Sequence, residues 1–223
     1  MDISSVVALA SRTSRATPPA PFDSVPVRAG VGIDGDIHAD ALSPRQLLLG
    51  SVSVYDELAL PAHALRENLL IEADTARLAS GTVLQIGAGV RLRMMFQCEA
   101  CGQLDKAQSG LSRRLGLRRG VLARVLTGGT IRRGDRVRDL GVLLPPWSDD
   151  WRERVRRVLD AVPPHAVIEY RHLARLAGLQ SSYCRAFPRL MARLGDGYAA
   201  KAVSSQSTVL LPRWDGDGLF DLY

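Results

Sequence analysis

Lysine is nearly missing from this 223-residue chain: Lys106 and Lys201 stand against 27 arginines. Coding-sequence bias alone can produce that skew, so the basic excess names no partner. The net charge of +6 divides as +4 up to Pro145 and +2 beyond it. Neither part is a highly charged nucleic-acid arm, although the balance permits an anionic partner. Long apolar runs are also lacking. The longest, such as 6–10 and 47–49, fall far short of the roughly 20 residues that a helix needs to cross a bilayer. The N-terminus has no basic segment followed by a long apolar run, so no secretory signal is expected and a cytoplasmic location is. Cysteine is scarce at three residues, an odd number that argues against a disulfide framework. No internal repeat is visible. What is present is a 46% hydrophobic fraction, enough for a real core, which excludes wholesale disorder and collagen-like architecture. The length fits one large domain or two small ones.

The segment 11–26, rich in Ser, Thr, Pro and Ala, reads as an exposed loop. From Gly30 onward the pattern is β-like. Apolar residues at 90, 92, 94 and 96 alternate with Arg91 and Arg93, as in a half-buried strand. Val83 to Ile86 and the stretch from Gly120 to Thr127 read as further strands. Turns at Gly128-Gly129 and Gly134-Asp135 lead towards Ile131 and Val137. Many short strands punctuated by glycine indicate a barrel or sandwich. The pattern changes at Pro145-Pro146, followed by Ser148-Asp149-Asp150, a stiff pair and then helix-capping chemistry. Two domains are expected, 1–145 and 146–223. In the second, Val155, Val158, Leu159 and Val162 form one apolar helical stripe ended by Pro163-Pro164. Leu173, Leu176 and Ala177 mark a short helix stopped by Gly178. Phe187, Leu190, Met191 and Leu194 mark a third, stopped by Gly195. The pair around Gly178 is a helix-turn-helix candidate, and Thr208 to Leu211 a candidate strand of a wing.

Cys98-Glu99-Ala100-Cys101 is the sharpest local feature of the first part, since a close pair in a reducing compartment points to metal, redox or sulfur chemistry. It belongs to an ordered set with Gly32-Ile33-Asp34-Gly35-Asp36-Ile37-His38, Arg66-Glu67-Asn68-Leu69 and the run from Gly128 to Val137. Together, across roughly residues 25 to 140, these motifs resemble the MOSC domain, named after the C-terminal part of molybdenum cofactor sulfurases. The resemblance implies a mainly β, barrel-like fold, and a cysteine that carries sulfur or binds a molybdenum cofactor. At family level it also carries an association with pyridoxal phosphate. In that family a proline usually precedes the cysteine, where this chain has Ala100.

Cys101 is the residue suited to that work, because a thiolate is soft enough to bind molybdenum or carry a persulfide. Arg113, Arg114, Arg118 and Arg119, with Arg45 and Arg66, are candidates to supply positive potential and hold a cofactor phosphate. Gly35, Asp36, His38 and Asn68 match polar positions of the family motifs and are candidates to line the site, with Cys98 as an auxiliary thiol. Plainer readings stand beside these. A cysteine is often a small buried hydrophobe. Asp36 can cap the Gly35 turn, His38 can bond to a turn, and Asn68 can be satisfied in the core. A zinc site would need ligands from Cys184 and four scattered histidines, so no zinc is expected. A thioredoxin-like dithiol would want the pair opening a helix.

The stretch from Val158 to Gly178 is similar to the DNA-binding domain of O6-alkylguanine-DNA alkyltransferases and alkyltransferase-like proteins. It shows an apolar helix, a proline turn, a Val-x-x-Tyr step and the first helix of a helix-turn-helix. The resemblance implies a small α+β winged-helix domain that contacts double-stranded DNA through Tyr170, Arg171, Arg185 and Arg189. Arg185 would fill the stack behind a displaced base. That assignment allows a one-residue shift, and an ungapped register puts Cys184 there instead. The family's acceptor cysteine and histidine are replaced by Tyr198-Ala199-Ala200-Lys201-Ala202-Val203, so alkyl transfer is not expected. Three functions remain: a sulfur carrier or molybdenum-cofactor protein, with a sulfur donor or acceptor protein as partner; a DNA binder recognising modified bases; and a scaffold. Retention of the key thiol favours the first.

Overall fold

In a computed structural model of the chain, every residue is described except Arg15, Gln103, Ala107, Leu222 and Tyr223. Two compact units emerge, Met1–Ala41 with Arg45–Trp147, and Leu42–Pro44 with Ser148–Tyr223.

The first unit begins with β1 (Asp2–Ser11), whose apolar Val6, Leu9 and Ala10 are buried. Two strands follow, β2 (Ala20–Phe22) and β3 (Ser24–Arg28), where the sequence suggested only a loop. β3 alternates exposed Ser24, Pro26 and Arg28 with buried Val25 and Val27, and although β3 is the middle strand of its sheet, Pro26 lies outside its ladder with the next strand, which pairs only Val27 and Arg28. That sheet joins β3 to β4 (Gly32–Ile33) and to a later strand. Next come β5 (Leu47–Ser51), α1 (Val52–Leu58), β6 (Leu69–Ile71), β7 (Thr82–Ile86) and β8 (Val90–Gln97). After α2 (Leu111–Leu115), the unit closes with β9 (Val121–Thr127), β10 (Gly129–Arg132) and β11 (Arg136–Val142).

Seven strands form a closed ring in the order β11, β7, β8, β9, β5, β6, β1, and β1 pairs back with β11. Only β5 and β6 run parallel, and α1 lies in the connection that this requires. Closure leaves no unpaired barrel edge. Val6, Leu9, Leu49, Leu69, Ile71, Leu84, Ile86, Leu92, Met94, Val125 and Val137 fill the interior.

One expectation for β8 fails. Arg93 is buried, at 2% exposure, where alternation placed it towards solvent. The segment after β11 covers that face: Arg93 Nη2 donates to the Pro145 carbonyl at 2.7 Å, and buried Trp147 donates its N–H to Ser80 Oγ at 2.7 Å. Met95, two residues beyond Arg93, is buried as well without belonging to the cluster that fills the barrel, and β8 shifts register against β9 between Met94 and Phe96.

A second cluster, of Val54, Tyr55, Leu58, Leu65, Leu104, Leu111 and Leu115, packs α1 against α2. At its edge Tyr55 donates to Glu67 Oε2 at 2.5 Å, and His63 Nδ1 lies 3.2 Å from Glu67 Oε1. Burial, then the Glu67 charge, push the Tyr55 hydroxyl far above its ordinary range. The bond to Glu67 raises His63 against the opposing effect of burial.

The second unit opens with α3 (Trp151–Ala161), capped by the Asp150 carboxylate on the Arg152 N–H and ended before Pro163. Its stripe of Val155, Val158 and Leu159 is buried. So is Arg154, which donates to the carbonyls of Ser148, Asp149 and Ala177. β12 (Ile168–Glu169) leads into α4 (Tyr170–Leu176), where the expected helix stood. The next helix is tighter than expected. A 3-10 turn over Ser181–Ala186 passes into α5 (Phe187–Leu194), with Pro188 in its first turn, where a missing N–H costs no helical bond. α6 (Asp196–Ala199) precedes β13 (Ala202–Val203), which pairs in parallel with β12. The strand expected over Thr208 to Leu211 is absent; these residues are irregular, and Leu210 is fully exposed. Its apolar run has no facing strand to bury it, and the partner of β12 comes from Ala202–Val203 instead.

Two outcomes follow from this packing. Gly120 has φ near +130°, and a Cβ there would overlap the Leu49 carbonyl. Gly120→Ala is expected to lower the stability of the full chain by about 3 kcal/mol, measured by chemical denaturation. For His63, NMR titration is expected to give a midpoint above 6.5. The raised value means that the pair contributes its full stability below pH 6.5 and loses it as pH rises through the folded midpoint. A midpoint below 6.5 would refute the pairing.

Candidate functional site

Strands β8 and β9 are neighbours in the ring, yet the chain between them runs from Cys98 to Gly120. The ladder reaches Gln97 opposite Val121, and the Cys98 N–H donating to the Gly120 carbonyl at 2.8 Å extends it by one step. Beyond that point the chain leaves the barrel as Glu99-Ala100-Cys101-Gly102. A turn follows, closed by Leu104 N–H on the Cys101 carbonyl at 2.9 Å. Ala100, Leu104, Leu111 and Leu115 press the excursion onto α1. Asp105 ties it further, accepting from the N–H and the hydroxyl of Ser112 at 2.8 Å each. These bonds hold the Asp105 carboxyl below its usual range.

Arg119, next to the clamped Gly120, reaches back across the loop. Its Nη1 donates to the Glu99 carbonyl at 2.8 Å and lies 3.7 Å from Cys101 Sγ. Its Nε is buried and meets no acceptor among the described residues. Cys101 is partly exposed, whereas Cys98 is 2% exposed, with Arg45 Nη2 4.0 Å from its sulfur. All three cysteines are unbridged. The arrangement presents one accessible thiol with a guanidinium donor beside it, suited to holding an anionic group at or next to the sulfur.

The polar motif residues form a network of their own. Asp36, at 5% exposure, accepts from Ser11 Oγ (3.0 Å), the Arg12 N–H (2.9 Å), the His38 N–H (2.8 Å) and Asn68 Nδ2 (3.2 Å). Asn68 also donates to the Ala10 carbonyl and accepts from the Leu48 N–H, so it spans the strands on either side. Gly35, with φ +75°, makes the turn that brings Asp36 inward. His38 Nε2 lies 3.1 Å from Arg12 Nη2; arginine only donates, so the ring nitrogen accepts. Arg66 has a positive φ of 62°, and its N–H donates to the His63 carbonyl. Arg113 and Arg114 are exposed on α2, and Arg118 pairs with Glu57. Of the arginines near the loop, the structure therefore sets Arg119 against Cys101. Its adjacency to Gly120, at the mouth of the β8–β9 connection, was the available signal.

In the second unit Tyr170 packs edge-on against Phe187, at 5.8 Å between centroids, and Arg171 pairs with Glu169. The Cys184 thiol donates to the Tyr170 carbonyl at 3.4 Å, and burial raises its pKa. Arg185 and Arg189 are exposed and line a cavity of about 470 Å³ with Trp151, Arg152, Ala186, Leu190 and Arg193. Sequence reasoning did not single out Trp151, Arg152 or Arg193 for this surface, because α3 and α5 come together only in the fold. Among the described residues no group of three or more His, Cys, Asp and Glu side chains is placed to hold a metal ion. No helix among them is long and apolar enough to cross a membrane.

Comparison with known proteins matches residues 42–138 to the family model of the MOSC domain. No curated protein matches the chain. Among solved structures it is similar to the YuaD protein of Bacillus subtilis, with a TM-score of 0.57 and 18% identity, over 61% of this chain and 96% of that one. It is also similar to YiiM from Geobacillus stearothermophilus (TM-score 0.51, 15% identity, 84% of this chain and 99% of that one). For YiiM from Escherichia coli the values are 0.50, 16%, 86% and 94%. At these identities the likeness is one of fold. The closed seven-stranded barrel and the sequence match together identify residues 42–138 as a MOSC domain.

Proposed function

We propose that the first unit works through the Cys101 thiolate, as a sulfur carrier or as a molybdenum-cofactor protein of the MOSC type. The observation that carries this reading is the Arg119 guanidinium, which has one N–H directed to Cys101 Sγ and a buried Nε without an acceptor. An orphaned buried donor costs about 1 to 3 kcal/mol until it is satisfied. The Nη1 that faces the sulfur is placed to meet an anionic oxygen or sulfur at Cys101, so the residues present fit a cofactor phosphate or a persulfide. When bound, a molybdenum cofactor would supply a redox-active metal with an affinity for thiolate. The chain's own contribution is to fix the thiol on a loop clamped at Cys98 and Gly120, and to hold negative charge with Arg119. In the carrier form, Cys101 Sγ attacks the outer sulfur of a donor persulfide. The new S–S bond forms as the donor thiolate leaves with the proton, and Arg119 holds the terminal anionic sulfur. Asp36 and Asn68, saturated by protein partners, hold the strands behind the loop.

For the second unit we propose a winged-helix-like module of the alkyltransferase-like type, which contacts DNA carrying modified bases and performs no transfer. The order α3, β12, α4, α5, β13 and the exposed arginines of α5 support it, and Tyr198 to Val203 contains no thiol nucleophile. Tyr170, Arg171, Arg185 and Arg189 would meet the nucleic acid.

Protein purified from a host that makes the cofactor is expected to contain molybdenum or cyanide-releasable sulfur. Cys101→Ser should remove it, and Arg119→Ala should reduce it about tenfold. Elemental analysis and cyanolysis are the measurements, and protein free of both in such a host would refute the reading. Binding of the chain to duplexes carrying O6-alkylguanine is expected to weaken with salt. Arg185→Ala should lower the slope of log affinity against log salt by about 1.

A further inference from the structure

The cavity of the second unit has a composition that duplex contact alone leaves unexplained. It is lined by four arginines, Arg152, Arg185, Arg189 and Arg193, together with Trp151, Ala186 and Leu190. Arg152 is paired with Asp150, but no ion pair joins Arg185, Arg189 or Arg193 to a carboxylate among the described residues. Arg189 and Arg193 stand one helical turn apart on α5, about 6 Å along the axis, and Arg185 precedes them in the 3-10 turn. Unpaired cations in a row form a track for a phosphate backbone. The Trp151 ring stands at 71° to that of Tyr183, with centroids 5.3 Å apart, and the Arg152 guanidinium carbon lies over it at 4.8 Å. An indole held in this way and bordering a space of about 470 Å³ can take a planar group in place of, or beside, the Arg152 guanidinium.

A duplex offers such a surface its phosphates and sugars while its bases stay stacked inside, so Trp151 would gain nothing from it. An unpaired strand offers both parts at once, phosphates to the arginines and a base to the indole. We propose that this groove binds single-stranded nucleic acid, with one base stacked against Trp151 and the flanking phosphates on Arg185, Arg189 and Arg193. The inference rests on the reading that the second unit meets nucleic acid, and specifies the form that it grips.

The test uses the full chain, a fluorescent 12-residue oligothymidylate, and the same strand annealed to its complement, with anisotropy read over a range of salt. The single strand is expected to bind at least tenfold more tightly than the duplex. Trp151→Ala should weaken single-strand binding about tenfold with the salt slope unchanged, and Trp151→Phe should restore most of the loss. Changing both Arg189 and Arg193 to Ala should instead lower the slope by about 1.4. Duplex bound as tightly as single strand, or single-strand affinity indifferent to Trp151→Ala in a protein that still melts cooperatively, would overturn the inference and leave duplex binding standing. Absence of binding to either probe at low salt would overturn both.

Discussion

The first unit depends on one strand pairing with several partners. β1 meets β11 with its first residues, β6 with its middle and β2 with its end, and two register shifts let it turn between them. That splice makes a ring out of what would otherwise be an open sheet with two exposed edges. Closure has a second effect, because once the ring is fixed the spacing between β8 and β9 is fixed too. The long excursion from Cys98 to Gly120 then starts and ends at adjacent ladder positions. A side chain on a long loop would ordinarily sample many positions. Here both ends are pinned by the barrel and the middle is pressed onto α1 by leucines, each of which contributes on the order of 2 kcal/mol when buried.

Buried polar groups complete the same frame. Asp36 and Asn68 bind β1, the Gly35 turn and the segments leading into β5 and β6 through bonds that use the Asp36 carboxylate several times over. Gln46, fully buried, accepts from the Val125 N–H and donates to the carbonyls of Gly30 and Asp40. An unsatisfied group at any of these positions would cost more than the bond itself contributes, which favours one register over its alternatives. Polar residues that look like ligands in a motif can thus be the anchors that make a site possible.

The sequence made the barrel legible wherever local pattern and final environment agree. Val90 to Phe96 alternates and forms β8; Val155, Val158 and Leu159 share a helical stripe and are buried. It misled where burial comes from a distant segment. Arg93 reads as solvent-facing until the chain around Pro145 folds over it, and the proline-rich stretch up to Pro26 reads as loop because β2 and β3 are short and β3 gains a partner, β10, from far along the chain. The strand expected over Thr208 to Leu211 failed for the converse reason, since an apolar run forms a strand only when something faces it. At the candidate site, the motif marked the Cys98–Cys101 segment, and the structure puts it where β8 leaves the barrel. Among the neighbouring arginines, Arg119 was marked only by its adjacency to Gly120, a weak signal because the backbone path that turns it towards Cys101 is settled by the fold.

The scarcity of lysine takes on a physical meaning in this light. Several of the 27 arginines are structural: Arg93, Arg124 and Arg154 are buried and donate to main-chain carbonyls, a task suited to a rigid guanidinium with five donors. Others are neutralised at the surface, as Arg118 is by Glu57 and Arg156 by Glu153. Net charge sums over both kinds and so hides the few cations whose field is not already spent on a neighbour. Arg119, with its buried unsatisfied Nε, and the row Arg185, Arg189 and Arg193 are of that remaining kind. A lysine at position 119 could supply charge but not two fixed donors, one for the Glu99 carbonyl and one for an anion at Cys101. It is the geometry of the guanidinium, more than its charge, that would suit these positions to the anionic ligands proposed for them.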